Sequence, residues 1–385
     1  MKTPSLKKSL FAIFLIVATE LIGFGLIIPI LPQLALQFNV SGLWMGLLLS
    51  SFSLAQFIAS PILGAASDKW GRKNILVLSK LGTALSYILL ANAATFPLFL
   101  AARLLDGFTG GNIAVARAYI SDVTTPENRA KGMAVIGMSF GVGFVLGPAL
   151  GGFLFGAFQG HFIPALVAAS LSLLATFFTL IFIEEPKKKK SSTKSIFTLN
   201  HFKYLKKRPI LIILTTQLIY MCCFAGFETT FAIFTFQEYG YTHQQNSQIF
   251  LYLGILALII QGGIVRKSFK NLKFASILGI GLTGIAFVTL GTSPGTTLLY
   301  GSLIFLSLGI ALLNTHLPAL LSTSTDSEES GKIMGLYESI GSLSRIIGPI
   351  LLFTSFFGNI PKAYLFCSSA LVVALLCLAA GKFDR

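Results

Sequence analysis

The chain has 385 residues, of which 54% are apolar with glycine left out and only 11% are charged. Soluble domains are about 45–50% apolar with glycine counted and about 25% charged, so no water-soluble surface can enclose this composition. Disorder, collagen, coiled coil and a small disulfide scaffold are excluded by the same figures, which leave a polytopic membrane protein; the helix-length apolar runs that follow make it all-α.

A helix needs about 20 mainly apolar residues to cross the hydrocarbon. The chain supplies roughly twelve such runs, at 9–34, 42–66, 74–95, 97–121, 132–156, 162–183, 209–236, 247–265, 274–291, 296–320, 333–357 and 362–381. The first run follows a basic segment, Met1 to Lys8. It is longer than a signal-peptide core and lacks a small-x-small cleavage site, so it reads as a retained helix. Lys and Arg fall in the N-terminal tail, after spans two, four and eight, and above all in the centre, where Lys187 to Lys190 begin a basic, Ser-rich stretch. The loops near 35–41, 92–96, 157–161 and 292–295 have none. Both termini are therefore expected in the cytoplasm. The net charge of +15 reflects this loop bias, and no nucleic-acid partner is expected.

Charged groups inside spanning helices are expensive and mark pathways. Glu20 lies about 15 Å into span one and Asp106 about 14 Å below the outer end of span four, both near the midplane. Arg103 is one turn from Asp106 on the same face. Glu228 falls in span seven, and Glu338 and Arg345 share a face of span eleven. An acid balanced between burial and a nearby Arg can load a proton on one side and release it on the other. Glu20, Arg103, Asp106, Glu228 and Glu338 are the candidates for that role, with Arg103 as modulator. Glu20, Gln56, Arg117, Gln217, Glu228 and Arg345 are the candidates for lining a substrate cavity.

The two halves repeat. Gly147-Pro148 in span five recurs 201 residues later as Gly348-Pro349 in span eleven, and Gln56 has a counterpart at Gln261. The expected domains are 1–183 and 209–385, each a six-helix bundle, joined by a cytoplasmic linker at 184–208. Such a plan places a substrate site at mid-membrane.

Gly64-Ala-Ala-Ser-Asp68-Lys-Trp-Gly71-Arg72-Lys, between spans two and three, resembles the signature of the major facilitator superfamily. There Asp68 can face the N-terminus of a neighbouring helix and Arg72 can pair with Asp122, forming a latch that opens as the halves rock. The glycines let helix ends approach. Gly143-Phe-Val-Leu-Gly147-Pro148-Ala-Leu-Gly151-Gly152 in span five resembles the antiporter motif of proton-coupled exporters. Its glycines form smooth stripes for close helix contact, and Pro148 permits a kink. Spans one (LIGFGLIIPILP) and four (LAARLLDGFTGGNIAVARAYISD) are similar to the twelve-helix drug:proton antiporters, nearest the tetracycline-efflux type. The resemblance implies the major facilitator fold and assigns Arg103 to a position associated with proton coupling. It also implies conformational gating by Gly64, Asp68, Gly71, Arg72, Asp122, Gly143, Gly147, Pro148, Gly151 and Gly152. Ser86 stands where tetracycline exporters typically carry an acid, and Arg117 and Glu338 stand where relatives usually have Gln.

The expectation is a proton-coupled exporter of small amphipathic compounds working by alternating access, monomeric, in a bacterial inner membrane. No cofactor is needed beyond the proton-motive force. Its partners are the bilayer, protons and a small-molecule substrate. The alternatives are a proton-coupled carrier of one metabolite or chelator on the same fold and, in another class, a non-transporting receptor. No phosphate-binding loop occurs, and the two GxSxG matches at 137–141 and 291–295 follow no strand. No enzyme is expected. The four Cys lie in apolar runs and the four His lack metal-ligand spacing, so no metal site is expected either.

Overall fold

A computed structural model describes residues 6–28, 30–31, 38–124, 126–186, 207–260, 271–292, 295–324, 330–356 and 358–381. Among these residues there are helices and no strand. In chain order they are α1 Leu6–Ile27, α2 Gly42–Trp70, α3 Arg72–Ala91, α4 Phe96–Thr109, α5 Asn112–Val123, α6 Pro126–Phe158 and α7 Phe162–Phe182. Then come α8 Arg208–Tyr239, α9 His243–Ile259, α10 Leu272–Gly291, α11 Thr296–Thr323, α12 Ser330–Phe356 and α13 Ile360–Ala380. Ten of them are long and apolar enough to cross a membrane. The eleventh span is α9, whose 17 residues end where the described segment stops. The twelfth is α4 and α5 taken together. The chain is a multi-pass membrane protein with twelve spans.

Two local structures differ from the sequence expectation. Span four is divided. Gly110 donates its N–H to the Asp106 carbonyl at 2.7 Å, but Ala114 N–H turns to the Gly111 carbonyl at 3.2 Å. This i→i−3 bond releases the Gly110 carbonyl, and Gln56 Nε2 donates to it at 2.9 Å. An orphaned carbonyl in hydrocarbon would be costly, so α2 supplies the missing partner. The segment 64–73, expected as a loop, is almost all helix. Only Gly71 separates α2 from α3, at φ 97°, a conformation that glycine adopts at least cost.

The helices expose apolar side chains outward and bury both apolar and polar ones. On α3 the buried face carries Ser79, Lys80, Thr83, Ser86 and Tyr87, while Leu78, Leu81, Leu85 and Ile88 are exposed. Lipid is as apolar as leucine, so such an exposed face suits a bilayer and not water.

Contacts group the chain into two units. The first comprises Met1–Val40, Ser51–Ile196 and Tyr241–Leu251, and the second comprises Ser41–Ser50, Phe197–Gly240 and Tyr252–Arg385. Ser41–Ser50 joins the second because Ser50 Oγ donates to the Ile346 carbonyl at 2.7 Å and Gly46 lies against the backbone of Ile350. The linker residues 187–206 lie outside the described segments, as does Gln261.

In the first unit, α1, α3 and α5 share a core of Ile13, Ile16, Val17, Leu76, Val115 and Ile120. In the second, Phe227, Phe231 and Phe234 of α8 cluster with Phe287 and Tyr364. The internal repeat is visible in packing. A Cβ on Gly147 would lie 2.9 Å from the Ile22 carbonyl, and one on Gly348 would strike the carbonyl of Cys222, some 200 residues further on.

Candidate functional site

Four charged side chains meet inside the first unit. Lys80 Nζ of α3 lies 2.5 Å from Glu20 Oε2 of α1, with the lysine side chain 0% and the glutamate side chain 2% exposed. Asn112 Nδ2, at the start of α5, donates to the same oxygen at 3.0 Å. Arg103 Nη1 lies 2.6 Å from Asp106 Oδ2, one turn along α4 and equally buried. The Arg103 guanidinium also sits over the rings of Phe24 and Phe52, 5.7 and 4.9 Å from their centres. These contacts hold the guanidinium in place.

The cluster sets two acidic side chains against two basic ones, yet several of its polar atoms stay unpartnered. These include Glu20 Oε1, Arg103 Nε and Asn112 Oδ1. A buried polar atom without a partner costs about 1–3 kcal/mol, and removing one member of a buried ion pair costs about 3–5 kcal/mol. Such an arrangement is poor for stability and suited to a site whose pairings change. Chemically it can hold and pass protons and can offer both signs of charge to a substrate group.

The site brings together Glu20, Arg103 and Asp106, of which the sequence pattern placed only Arg103 beside Asp106, with Gln56 one step away on the Gly110 carbonyl. Arg117 is half-buried on α5. Lys80, Asn112 and Tyr87 are additions that the sequence reading missed. The signal was available, since Ser79, Lys80, Thr83 and Ser86 recur at helical spacing within an otherwise apolar span.

In the second unit Gln217 is buried with Oε1 unpartnered, and Tyr220 Oη donates to Asn314 Oδ1 at 3.2 Å. Glu228 is half-buried within electrostatic reach of Arg345, which also donates to Ser342 Oγ at 3.4 Å. Glu338 is exposed on α12.

The 64–73 segment forms a compact ionic knot. Arg72 lies 2.5 Å from Asp68 and 2.9 Å from Asp122, and it donates to Ser67 Oγ. Asp68 is drawn to Arg72. The helix N-terminus beside it belongs to Glu185, whose two oxygens accept from the backbone N–H groups of Arg72 at 2.7 Å and Lys73 at 2.9 Å. A carboxylate there satisfies two orphan donors and meets the positive end of α3. A Cβ on Gly71 would fall 2.8 Å from Glu185 Oε2, whereas one on Gly64 would meet nothing within 4 Å. Gly71 is explained by its φ of 97° more than by the movable Glu185 carboxylate, and close approach does not explain Gly64. On α6, Gly143, Gly147 and Gly151 press against the α1 backbone from Leu21 to Leu26, and Pro148 lies against Gly25. Gly152 is buried, and Gly141 faces open space.

His316 is buried with Nδ1 3.0 Å from the Leu312 carbonyl. Among the described residues no three His, Cys, Asp or Glu side chains group as metal ligands.

Residues 13–349 match the family model described as Major Facilitator Superfamily. The tetracycline resistance protein, class H, of Pasteurella multocida is 30% identical over 394 residues, covering 99% of this chain and 97% of that protein. Multidrug resistance protein 2 of Bacillus subtilis (strain 168) is 30% identical over 390 residues, covering 97% and 95%. Among solved structures, the human organic anion transporter MFSD10 (TETRAN) superposes with a TM-score of 0.73 at 24% identity, covering 97% of this chain and all of that one.

Proposed function

The chain belongs to the major facilitator superfamily, and from that premise we propose that it is a proton-coupled antiporter exporting small amphipathic compounds by alternating access. The observation that carries this reading is the paired, fully buried Glu20–Lys80 and Arg103–Asp106 cluster. A proton arriving at either carboxylate removes one charge and weakens one ion pair, which couples protonation to packing between α1, α3 and α4. Relatives named for tetracycline and multidrug resistance favour export as the direction.

The driving force suffices. One proton crossing 100 mV yields about 2.3 kcal/mol, and half a pH unit adds about 0.7. At 1.4 kcal/mol per decade, this supports roughly a 150-fold substrate gradient per proton. The Lys and Arg distribution supports both termini on the cytoplasmic side, and the bacterial relatives favour a bacterial inner membrane. A monomer acting with protons, substrate and lipid as its partners fits the same reading, with no cofactor and no nucleic acid.

A second reading, a proton-coupled carrier of one metabolite, is favoured by Lys80 and Arg103. Each would be left without its counter-charge when its acid is protonated, and each could then take an anionic group. Accumulation of a fluorescent lipophilic cation separates the readings. Cells expressing the protein are expected to accumulate several-fold less dye than controls, and an uncoupler should abolish the difference. Equal accumulation with and without uncoupler, in cells shown to contain the protein, would count against the exporter.

A further inference from the structure

We propose that Lys80 is a positioning residue of the transport cycle: its ammonium is the counter-charge that governs when Glu20 takes up a proton. The inference rests on the proton-coupled reading above and adds to it a residue that neither the motif pattern nor the family resemblance marks.

Four observations carry it. Lys80 is fully buried and its Nζ lies 2.5 Å from Glu20 Oε2. Its backbone is held in place, because Ser172 Oγ of α7 donates to the Lys80 carbonyl at 2.9 Å. The other carboxylate oxygen, Glu20 Oε1, has no partner and faces the divided span, where a Cβ on Gly110 would lie 3.1 Å away. Lys80 also lies within electrostatic reach of Asp106.

The charged and titratable groups facing Glu20 are Lys80 and Tyr87 on α3 and Asp106 on α4, with Arg103 behind Asp106. On α5, Asn112 is neutral, and Arg117 and Asp122 follow it by five and ten residues. The sequence of α7 holds no charged residue, and that of α6 holds none after Lys131. Lys80 is therefore the cation in direct contact with Glu20. An ammonium at hydrogen-bond distance favours the carboxylate. When a proton from the aqueous side binds Oε1, the Glu20–Lys80 attraction falls away and the lysine charge is left to Asp106. One O–H bond forms and one ion pair opens, so a proton is converted into a change of partner between α1 and α4.

The test is an infrared pH titration of the purified full-length protein in lipid, following the protonated-carboxyl band that Glu20→Gln removes. Lys80→Met is expected to move the midpoint of that band to higher pH by about one unit or more. Lys80→Arg, which keeps the charge, should stay within about half a unit of wild type. A folded Lys80→Met with an unmoved midpoint overturns the proposal, as does the lack of any Glu20-dependent band between pH 5 and 10 in both proteins. If Lys80→Met does not fold, Lys80→Gln takes its place, and equal midpoints for Gln and Arg overturn it. A shifted midpoint in a protein whose vesicles move no protons with any substrate would retain the Glu20–Lys80 link and reject proton coupling.

Discussion

Glycines on α6 show how unequal identical residues are. Gly151 sits against the Leu26 carbonyl, so an alanine there must push α1 away, whereas Gly141 has nothing within 4 Å of its missing Cβ. Overpacking of this kind costs about 1–3 kcal/mol. Gly151→Ala is therefore expected to lower the thermal midpoint in detergent measurably, and Gly141→Ala to leave it unchanged; equal effects would mean that α1 and α6 are not packed this way. The four-residue spacing of glycines was legible in the sequence, but which of them touch a helix was not, because spacing gives a stripe and not its neighbour. Lys80 was hidden for a related reason. A lone lysine in an apolar run has no visible partner until the fold brings Glu20, sixty positions earlier, to its tip.

At the level of the helix, span four illustrates a polar repair inside a membrane segment. Gly110 and Gly111 loosen the helix, the i→i−3 bond at Ala114 frees a carbonyl, and Gln56 reaches over from α2 to take it. Gln56→Leu leaves that carbonyl unpaired, a loss of about 1–3 kcal/mol. Faster amide exchange around residues 110–114 in the variant is the expected outcome; unchanged exchange would show that the Gln56 bond does not hold the break. The sequence indicated Gln56 as a cavity residue, and its place on the broken helix became visible only once α2 and α4 were side by side. The Arg72–Asp122 pair was suggested by the resemblance of residues 64–73 to the family signature. Glu185 was not, since it stands 113 residues from Arg72 and joins it through backbone N–H groups that every residue but proline possesses.

For the molecule as a whole, composition alone indicated a multi-pass helical protein, and counting apolar runs gave twelve spans. The repeat was legible because Gly-Pro recurs after 201 residues, and it reappears as matching helix contacts at Gly147 and Gly348. What the sequence could not supply is the pairing of charges, which depends on which helix faces which. The central claim is that buried carboxylates in the first unit couple protons to transport. Proteoliposomes holding a pH-sensitive dye, under an imposed proton gradient and offered tetracyclines, lipophilic cations and small metabolites, test it most directly when wild type is compared with Glu20→Gln. Substrate-evoked proton movement in wild type that falls at least tenfold in Glu20→Gln is the expected result. Proton movement of equal size in the two folded proteins would contradict the claim for Glu20, and none in either would contradict proton coupling itself.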